Sequence, residues 1–563
     1  FNSRTQQKSN GELSLLNYDM KLYGIRTIQL SDSQNVVINP KENSLTLKKN
    51  RDFEFDGMIK AGRFVVHGNG FEFSYEKFGI EMPLIDSMQF WVKPFEEDKD
   101  KYASRKYVES TIQDMQGELI IDRANNKSGR KSFPKYPILK NEKNAYVYYN
   151  KNCIYPNVYK PDEFYYRLDP FTIDSLDNFT TEGLQFTGYL ASSGIFPIIN
   201  QPLAVQKDYS LGFIHNTPST GYNIYGGKGH YTDQIRLSNQ GLEGSGELKY
   251  LTAKAKSVEF DFFPDSTNAM ANEYVVQEQS GQVQYPAVTA TNVRLHWEPY
   301  NDIMTVRSQE KPVNMFNQQA NIDGTLKYTP DKMTGKGMMH IADADISSDR
   351  FVYAKQDIYA DTCDFKLIAK SDEFGLGAGD RVEHDLITNN YKAEISFKTR
   401  KGKFTSNSGS SRVKFLVNQY IGFIDQFNWH MDKEEIAFSS RISEKMAGVY
   451  DQYNQDQLID STLRGARFIS IHPAQDSLEF IADYAVYSRK QQTLDAKGVR
   501  ILRVADAAIF PVDKQLLIKR RSEITPLQKD TILTNTTTRF HQIYTETVNI
   551  DGKYQYHARG DYD

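Results

Sequence analysis

The sequence is poor in the residues and patterns that many enzymes, metalloproteins and membrane proteins need. Only 2 cysteines occur in 563 residues, and the spacing of Cys153 and Cys363 matches no metal site. We expect two isolated, buried thiols, with a disulfide between them as the alternative. No run of about 18 apolar residues occurs, so the sequence predicts no transmembrane segment.

The sequence also lacks a large excess of positive or negative charge. The net charge is −4 and the pI is about 6.3, which gives no general attraction for nucleic acid or anionic lipid. The basic run at residues 519–521 is followed by Glu523, a pattern typical of a solvated strand end. We therefore predict no nucleic-acid partner.

Catalytic motifs are absent as well. The 10 histidines form no zinc-binding pair, and no G-x-S-x-G turn occurs. The glycine-rich segment 375–380 lacks the Lys-Ser/Thr pair of a phosphate-binding loop. These absences predict a protein that is not an enzyme and that has no cofactor and no metal.

Closely spaced aspartates are the strongest candidates for an acid pair. Asp343 and Asp345 lie two positions apart, and Asp361 and Asp364 lie three apart. Enzymes that cleave polysaccharides need two such carboxyl groups in one cleft. In a repeat protein, however, aspartates more often end strands or bind turn amides, and we predict that role here.

What the sequence has in abundance favours strands. It contains 35 tyrosines and 33 phenylalanines against 3 tryptophans, and aromatic residues fit pleated surfaces. Apolar and polar residues alternate in segments 71–75, 258–262 and 393–397. Segments 104–115 and 268–274 are candidates for short helices. The sequence therefore predicts an all-β fold with little helix.

The two ends of the sequence are similar to each other. Residues 24–33 (GIRTIQLSDS) and 498–507 (GVRILRVADA) share a glycine, an arginine, alternating aliphatic residues and an aspartate. The similarity continues into 38–48 and 509–519. Self-similarity of this kind predicts modules that bury their faces against neighbours. We expect stacked β-repeats that form an elongated, open jellyroll or solenoid-like array.

Glycine motifs indicate a second repeat in the middle of the chain. Gly244-Ser245-Gly246 and Gly335-Lys336-Gly337 each precede strand-like segments and are expected to form turns, as are Asp323-Gly324 and Lys401-Gly402. The first residue is Phe1 rather than Met, and we expect both ends to be cuts in a longer protein, with any signal peptide outside this sequence. The predicted modules are a β-repeat at 1–100, a β-rich connecting module at 101–235, central repeats at 236–475, and a second copy of the first module at 476–563.

Several of these segments resemble known proteins. Residues 341–349 and 358–361 resemble the OstA-like β-repeats of lipopolysaccharide-transport proteins, whose strands stack into an open, V-shaped jellyroll. A resemblance to a set of very large exported proteins of the Bacteroidota is carried by 221–229, 237–246, 263–266 and 400–407. That set includes the plug of the type 9 secretion translocon, which closes the periplasmic mouth of an outer-membrane pore.

Three alternative functions of different class remain, and the resemblance implies the first two. The first is a periplasmic, outer-membrane-associated plug that binds translocon proteins through sheet edges and aromatic loops. The second is an OstA-like carrier, which shelters lipopolysaccharide or another lipid in an apolar groove. The third is a carbohydrate-active β-helix. A carrier needs a continuous groove, whereas a plug needs a filled interior.

A glycine-tyrosine loop is the candidate partner-binding site. Tyr222, Tyr225 and His230 flank it, and we expect Gly226, Gly227 and Gly229 to hold backbone shapes that a Cβ would oppose. The loop is expected to present the rings of Tyr222 and Tyr225 to a partner. The alternative interpretation of His230, and of the nearby His215, is a structural role as a turn residue with satisfied hydrogen bonds.

Overall fold

A computed structural model describes residues 10–31, 33–95, 105–151, 156–369, 384–409 and 411–562. The all-β prediction is confirmed, since strands make up 56% of the structure and the sheets are large and antiparallel. The chain forms two compact units. The first comprises Phe1–Tyr250, Lys256–Met270 and His296–Asn301, and the second comprises Leu251–Ala255, Ala271–Leu295 and Asp302–Asp563.

The strands of the first half of the chain follow one another at short intervals. They are β1 (Gly11–Leu13), β2 (Met20–Tyr23), β3 (Ile28–Ser31), β4 (Val36–Pro40), β5 (Ser44–Leu47), β6 (Phe53–Ala61), β7 (Phe64–Ser74), β8 (Gly79–Val92), β9 (Lys106–Tyr107), β10 (Ile112–Ile120), β11 (Ile138–Asn141), β12 (Ala145–Tyr148), β13 (Phe164–Leu168), β14 (Phe171–Ile173), β15 (Gln185–Phe186), β16 (Gly188–Ser192), β17 (Leu203–Val205), β18 (Leu211–Asn216), β19 (Tyr222–Ile224), β20 (Gly229–Ser238), β21 (Gly241–Tyr250), β22 (Ala253–Phe262) and β23 (Thr267–Ala271).

A 15-stranded antiparallel sheet lies within the first unit. Its main path runs β1-β2-β5-β6-β7-β8-β10-β12-β13-β16. Alternate side chains along β4, β12 and β13 are buried, as the period of two predicts. Phe53 on β6 stacks on Phe73 of β7 with ring centroids 4.6 Å apart, and Phe64 stacks on Phe90 of β8 at 5.2 Å. Such cross-strand aromatic pairs fix the register of the sheet.

The second half of the chain continues the pattern and adds two helices. Its elements are β24 (Glu273–Val276), β25 (Val288–Ala290), β26 (Val293–Glu298), β27 (Ile303–Arg307), β28 (Val313–Met315), β29 (Ala320–Tyr328), β30 (Met333–Ile341), β31 (Ala344–Tyr353), β32 (Asp357–Ile368), β33 (His384–Thr388), β34 (Tyr391–Ser396), β35 (Lys401–Ser406), β36 (Ser411–Phe415), β37 (Tyr420–Ile424), β38 (Gln426–His430), β39 (Glu435–Ser439), α1 (Arg441–Tyr450), α2 (Gln455–Asp460), β40 (Ala466–Ser470), β41 (Glu479–Ala482), β42 (Tyr484–Ser488), β43 (Thr493–Lys497), β44 (Leu502–Val504), β45 (Ala507–Phe510), β46 (Gln515–Ile518), β47 (Leu527–Gln528), β48 (Thr531–Thr534), β49 (His541–Gly552) and β50 (Gln555–Tyr562).

From β32 onward, successive hairpins of the second unit join two ladders in turn. One ladder runs β32-β34-β35-β38-β39-β42-β43-β46, and the other runs β33-β36-β37-β40-β41. Aromatic rings from both ladders contact each other. Phe415 of β36 lies 5.1 Å from Phe438 of β39 and 6.0 Å from Tyr487 of β42, measured between ring centroids. The residues between the ladders therefore form an aromatic core.

The repeat predicted at the two ends is present in the structure. In the first copy β2 pairs with β5, and in the second β43 pairs with β46. Each copy encloses a short hairpin, with Ile28 opposite Ile38 in one and Leu502 opposite Ile509 in the other. These are the residues that the sequence similarity equates.

The hydrogen bonds that close the two repeats also correspond. The Ile25 amide donates to the Asn43 carbonyl at 2.8 Å, and the Val499 amide donates to the Lys514 carbonyl at 2.9 Å. Further on, the amide of Lys48 and that of Lys519 each donate at 2.7 Å to the carbonyl four residues later. The shared sequence pattern thus specifies one backbone path twice.

Both predicted helices are wrong. Residues 105–115 contribute to β9 and β10, and 268–274 contribute to β23 and β24; Ser104 lies outside the described residues. Ile112 fits a helical spacing with Val108 and Met115, but it is the first residue of a nine-residue strand that pairs with β8. Sheet pairing overrides a local pattern that is compatible with either structure.

The glycine motifs expected to form turns lie inside strands instead. Gly244 falls within β21 and Gly335 within β30. A Cβ on Gly244 would lie 2.3 Å from the Tyr231 hydroxyl, and one on Gly335 would lie 2.3 Å from the Tyr353 hydroxyl. Each glycine therefore makes room for a tyrosine of the neighbouring strand. Asp323-Gly324 and Lys401-Gly402 are also strand residues.

Candidate functional site

The loop predicted to bind a partner buries one of its two tyrosines. Tyr225 is 1% exposed, and its hydroxyl lies 2.8 Å from the carbonyl oxygens of Phe263 and Ser266 and from Thr267 Oγ1. Its ring packs edge-on against Trp297 at 5.3 Å. Burial raises the pKa of the Tyr225 phenol. The expectation that the loop presents this ring is wrong, because the ring anchors the loop to the core.

Tyr222 and His215 form a half-buried pair beside this anchor. Their rings are stacked, with 5.9 Å between centroids and 7° between planes, and His215 Nε2 lies 2.9 Å from the Tyr222 hydroxyl. His215 Nδ1 lies 3.2 Å from Gln201 Oε1. Burial lowers the pKa of His215. Tyr222 stays a predicted partner contact. His215 has both ring nitrogens bonded within the unit, as its alternative interpretation requires.

His230 has one bonded and one unbonded ring nitrogen. Nε2 lies 2.7 Å from the Thr220 carbonyl oxygen and so carries the proton that it donates. Nδ1 is then an acceptor, buried and without a hydrogen-bond partner among the described residues. His230 lies in β20 rather than in a turn. Its role as a partner contact stays a prediction.

The three loop glycines are each constrained, for two different reasons. Gly226 and Gly227 have φ of +65° and +91°, which side chains oppose. Gly229 has no positive φ, but a Cβ there would lie 2.4 Å from the Trp297 ring. The predicted backbone shapes that oppose a Cβ are confirmed at Gly226 and Gly227. At Gly229 the predicted reason is wrong, because packing against Trp297 rather than backbone conformation excludes a Cβ.

Three of the four aspartates considered for acid pairs have side chains that are engaged in the fold. Asp343 accepts a 2.7 Å bond from Arg489, whose side chain is 6% exposed, and Asp345 lies 2.7 Å from His340 Nδ1. Asp364 accepts from the Asn390 amide at 3.0 Å. These contacts agree with the structural role predicted for them. The segment 375–380 lies outside the described residues.

Three other carboxylates in the first unit lie close together. Glu243 on β21 and Glu259 and Asp261 on β22 have oxygens within 4.8 Å of one another, an arrangement that could hold a cation. Partial burial, together with the neighbouring charge, raises the pKa of Glu243 and of Asp261. Arg236 lies 3.4 Å from Glu243 and offsets part of the repulsion. No further feature points to a bound ion, and we assign none.

The predicted thiols are partly accounted for. Cys363 is a free thiol, buried in β32. Burial and the neighbouring Asp364 raise the pKa of Cys363 to about 12, so this thiol is unreactive at neutral pH. Cys153 lies outside the described residues.

A second candidate site, which the sequence analysis missed, is a helical insertion at 440–465 between β39 and β40. Helix α1 begins at Arg441, whose amide donates to Asp425 at 3.0 Å, and the same carboxylate accepts from the Ser440 hydroxyl at 2.8 Å. Helix α2 begins with a capping box formed by Asn454 and Gln457. Both helix starts are therefore satisfied by specific side chains.

The insertion is tied to the C-terminal repeat by a buried arginine. The Arg500 side chain is 5% exposed and lies 3.1 Å from Asp451 and 2.9 Å from Asp483. It also donates to the Ala447 carbonyl, in the last turn of α1, at 3.1 Å. Asp451 would be unfavourable at a helix C-terminus, but Arg500 and Lys514 neutralise it. These contacts hold the pKa of Asp451 below its usual value.

An apolar cluster completes this attachment. Leu458 of α2 packs with Ile501, Phe510 and Leu533, all of which are less than 10% exposed. The equivalents of Ile501 and Phe510 in the N-terminal copy are Thr27 and Asn39. There, Asn39 donates to Thr27 Oγ1 at 3.0 Å. The same repeat is thus polar in one copy and is covered by the insertion in the other.

A cleft of about 900 Å³ lies between the insertion and the C-terminal repeat. We call it the insertion cleft. Its floor includes Leu458, Phe510 and Leu533, and its walls include the pairs formed by Arg500 and Arg539 with aspartates. The full lining is Tyr450, Asp451, Tyr453, Asn454, Gln455, Asp456, Leu458, Arg500, Phe510, Pro511, Lys514, Leu533, Arg539 and Gln542.

Signals for the insertion exist in the sequence. Ile442, Met446 and Val449 follow a helical spacing, and Asn454 precedes Gln457 at the capping-box interval. The cleft itself has no such signal, because the second wall is supplied by residues 500–542, far along the chain.

No protein-family model matches the chain, and no curated protein matches it. Across the described residues, no helix is both long and apolar enough to cross a membrane.

Proposed function

We propose that this chain is a non-enzymatic structural subunit of the periplasm that binds an outer-membrane protein-export translocon of the type 9 class and seals its periplasmic opening. The resemblance to exported Bacteroidota proteins supports this proposal. The observation that carries it furthest is the aromatic core between the two ladders of the second unit, in which Phe415 contacts Phe438 and Tyr487. A plug must fill the opening of the pore, and stacked β-repeats with a packed interior are suited to that.

The same core argues against the carrier hypothesis in this part of the chain. A carrier of acyl chains needs an open apolar groove that passes from repeat to repeat. Within one ladder Phe404 and Phe427 are stacked at 4.5 Å and Phe427 lies 5.4 Å from Phe438. Phe438 in turn lies 5.1 Å from Phe415 of the other ladder. Rings at these separations are in direct contact, so this space is taken by the protein itself.

The use of buried charge supports a structural role over an enzymatic one. Arg489 bonds Asp343 and the Ile368 carbonyl, and Arg500 bonds two aspartates and two carbonyls. A catalytic group keeps some hydrogen-bonding capacity for substrate. Here the buried guanidinium groups use that capacity to hold loops and helices to strands.

Open sheet edges give this protein a means of binding its partner. β50 pairs only with β49 among the described strands, and seven of its eight residues are exposed. Unpaired backbone groups on such an edge accept a strand from another chain. Binding by backbone pairing and shape needs neither cofactor nor long-range charge.

Gene deletion in a bacterium with type 9 secretion tests the proposal. Loss of a plug is expected to leave secretion possible but to admit large antibiotics through the outer membrane, and complementation should restore the barrier. A deletion strain with an intact barrier and altered lipopolysaccharide export would overturn the proposal in favour of the carrier. Released oligosaccharides that depend on the purified chain would overturn it in favour of an enzyme.

A further inference from the structure

The insertion cleft has an unusual balance of polar groups. Each charged side chain in its walls has an opposite charge beside it. Lys514 lies 2.6 Å from Asp451, and Arg539 lies 2.9 Å from Asp456 and also pairs with Asp460. Because every one of these charges is neutralised locally, the cleft offers little net attraction to an ionic ligand.

The uncharged polar groups of the cleft, by contrast, are free. The side-chain amides of Gln455 and Gln542 and the hydroxyl of Tyr453 have no hydrogen-bond partner within the described part of the chain. All three residues are half-buried. The Asn454 side chain accepts from Gln457 through its oxygen, which leaves its NH₂ group available. The cleft therefore presents both donors and acceptors without charge.

The floor of the cleft adds apolar contact to these groups. Leu458, Phe510 and Leu533 form it, and Tyr453 packs at the edge of this cluster. A tyrosine ring offers an apolar face and a polar tip to the same ligand. The cleft therefore combines a mostly polar lining with an apolar floor, and both kinds of contact occur in small-molecule sites.

We propose that the insertion cleft binds a neutral oligosaccharide. Sugar hydroxyl groups pair with amide and phenol groups, and the C–H faces of a pyranose ring pack on aromatic and aliphatic side chains. A volume of about 900 Å³ accommodates two or three sugar units. The site is independent of translocon binding, because neither Gln542 nor Tyr453 is part of a sheet edge assigned to the partner.

The experiment is a calorimetric titration of the whole chain with maltotriose, cellotriose and chitotriose, with trigalacturonate as the charged comparison. At least one neutral trimer is expected to bind, more tightly than the charged one and with little dependence on salt. Gln542→Leu should weaken binding about fivefold, since one lost hydrogen bond is worth about 1 kcal/mol. Tyr453→Phe should weaken it about three- to tenfold and Tyr453→Ala more.

The matched control is Gln528→Leu, an exposed glutamine of the same unit that does not line the cleft. It should bind as the wild type does, and each variant is checked for an unchanged melting temperature. Absence of binding by all three neutral trimers at millimolar concentration would overturn the proposal, as would an unaffected Gln542→Leu variant. Tighter binding of the charged trimer would overturn it as well. Translocon capture by Gln542→Leu is expected to be normal, which separates this proposal from the preceding one.

Discussion

The Arg500 guanidinium meets the Asp483 carboxylate end to end, with Nη1 2.9 Å from Oδ1 and Nη2 2.9 Å from Oδ2. Two parallel bonds of this kind fix the orientation of both groups. Asp483 lies just before β42, and Arg500 follows β43. The pair therefore joins the two open ends of the β42–β43 hairpin. The remaining donors of Arg500 then reach the helical insertion.

Arg500→Ala is therefore expected to destabilise the second unit by about 3–5 kcal/mol, because it leaves Asp483 and Asp451 without their buried partner. The N-terminal copy of the repeat contains a matched control residue. Arg26 is the equivalent residue of the N-terminal copy and is exposed, so Arg26→Ala should change stability by less than about 0.5 kcal/mol. Hydrogen exchange followed by mass spectrometry resolves the two repeats separately. Equal effects of the two substitutions would contradict the role assigned to Arg500.

Phe510→Asn gives the C-terminal repeat the residue found in the N-terminal copy. It removes a ring that packs on Leu458 and Leu533, and we expect a cost of about 3–5 kcal/mol, with early proteolytic cleavage within 440–465. Asn39→Ala, which removes bonds to Thr27 and to the Arg26 carbonyl, should cost about 1 kcal/mol or less. An insertion that resists protease in Phe510→Asn would show that the apolar cluster does not hold it.

The same substitution should have opposite effects at two glycines. Gly226→Ala places a side chain at a φ of +65° and should destabilise the first unit by about 1–2 kcal/mol. Gly448→Ala lies within α1, where a Cβ meets nothing within 4 Å, and should stabilise by about 0.5–1 kcal/mol. Gly229→Val should destabilise the first unit, because a Cβ at this position would overlap the Trp297 ring. Thermal unfolding of each variant measures these changes, and stabilisation by Gly226→Ala would refute the assigned backbone conformation.

The carboxylate cluster of the first unit predicts a pH dependence. The pKa of Asp261 is raised by burial and by Glu259, so the folded state binds a proton more tightly than the unfolded chain does. Its contribution is complete below the unfolded pKa of about 4 and is lost as the pH rises through the folded pKa. Asp261→Asn should therefore gain stability over the wild type between about pH 4 and pH 7.

The size of that gain should be a few tenths to about 1 kcal/mol, the usual scale for interactions between partly exposed, solvent-screened charges. Urea unfolding at the two pH values measures it. Asp162→Asn, an exposed aspartate of the same unit, is the control and should show no such trend. A larger gain at pH 4 than at pH 7 would contradict an upward shift of the Asp261 pKa.

The fold could be predicted from the sequence wherever a pattern is compatible with only one type of local structure. Period-two alternation identified the strands, and the similarity of 24–33 to 498–507 identified a repeat whose hydrogen bonds correspond. Glycines inside strands were misinterpreted because a bulge or a neighbouring tyrosine requires them as much as a turn does. The segment 105–115 was misinterpreted because Ile112 and Met115 fit both periodicities, and only pairing with β8 decides between them.

The sites were less predictable than the fold. The aromatic and glycine content of 222–230 indicated a constrained loop but not which ring is buried, since Tyr225 is held by residues 263–267 and Trp297. The insertion cleft depends on contacts between 450–458 and 500–542, which no local pattern encodes. Local chemistry is readable from sequence, whereas its assembly across distant segments is not.

The most direct test of the plug proposal is quantitative capture of the tagged chain from a bacterium with type 9 secretion after mild detergent extraction. We predict stoichiometric recovery of translocon proteins, unchanged by a chelator and little changed between about 0.1 and about 0.5 M salt, because backbone pairing and shape rather than long-range charge supply the affinity. Lipopolysaccharide measured in the same sample should be substoichiometric. Absence of the translocon together with stoichiometric lipopolysaccharide would contradict the plug proposal and establish the carrier in its place.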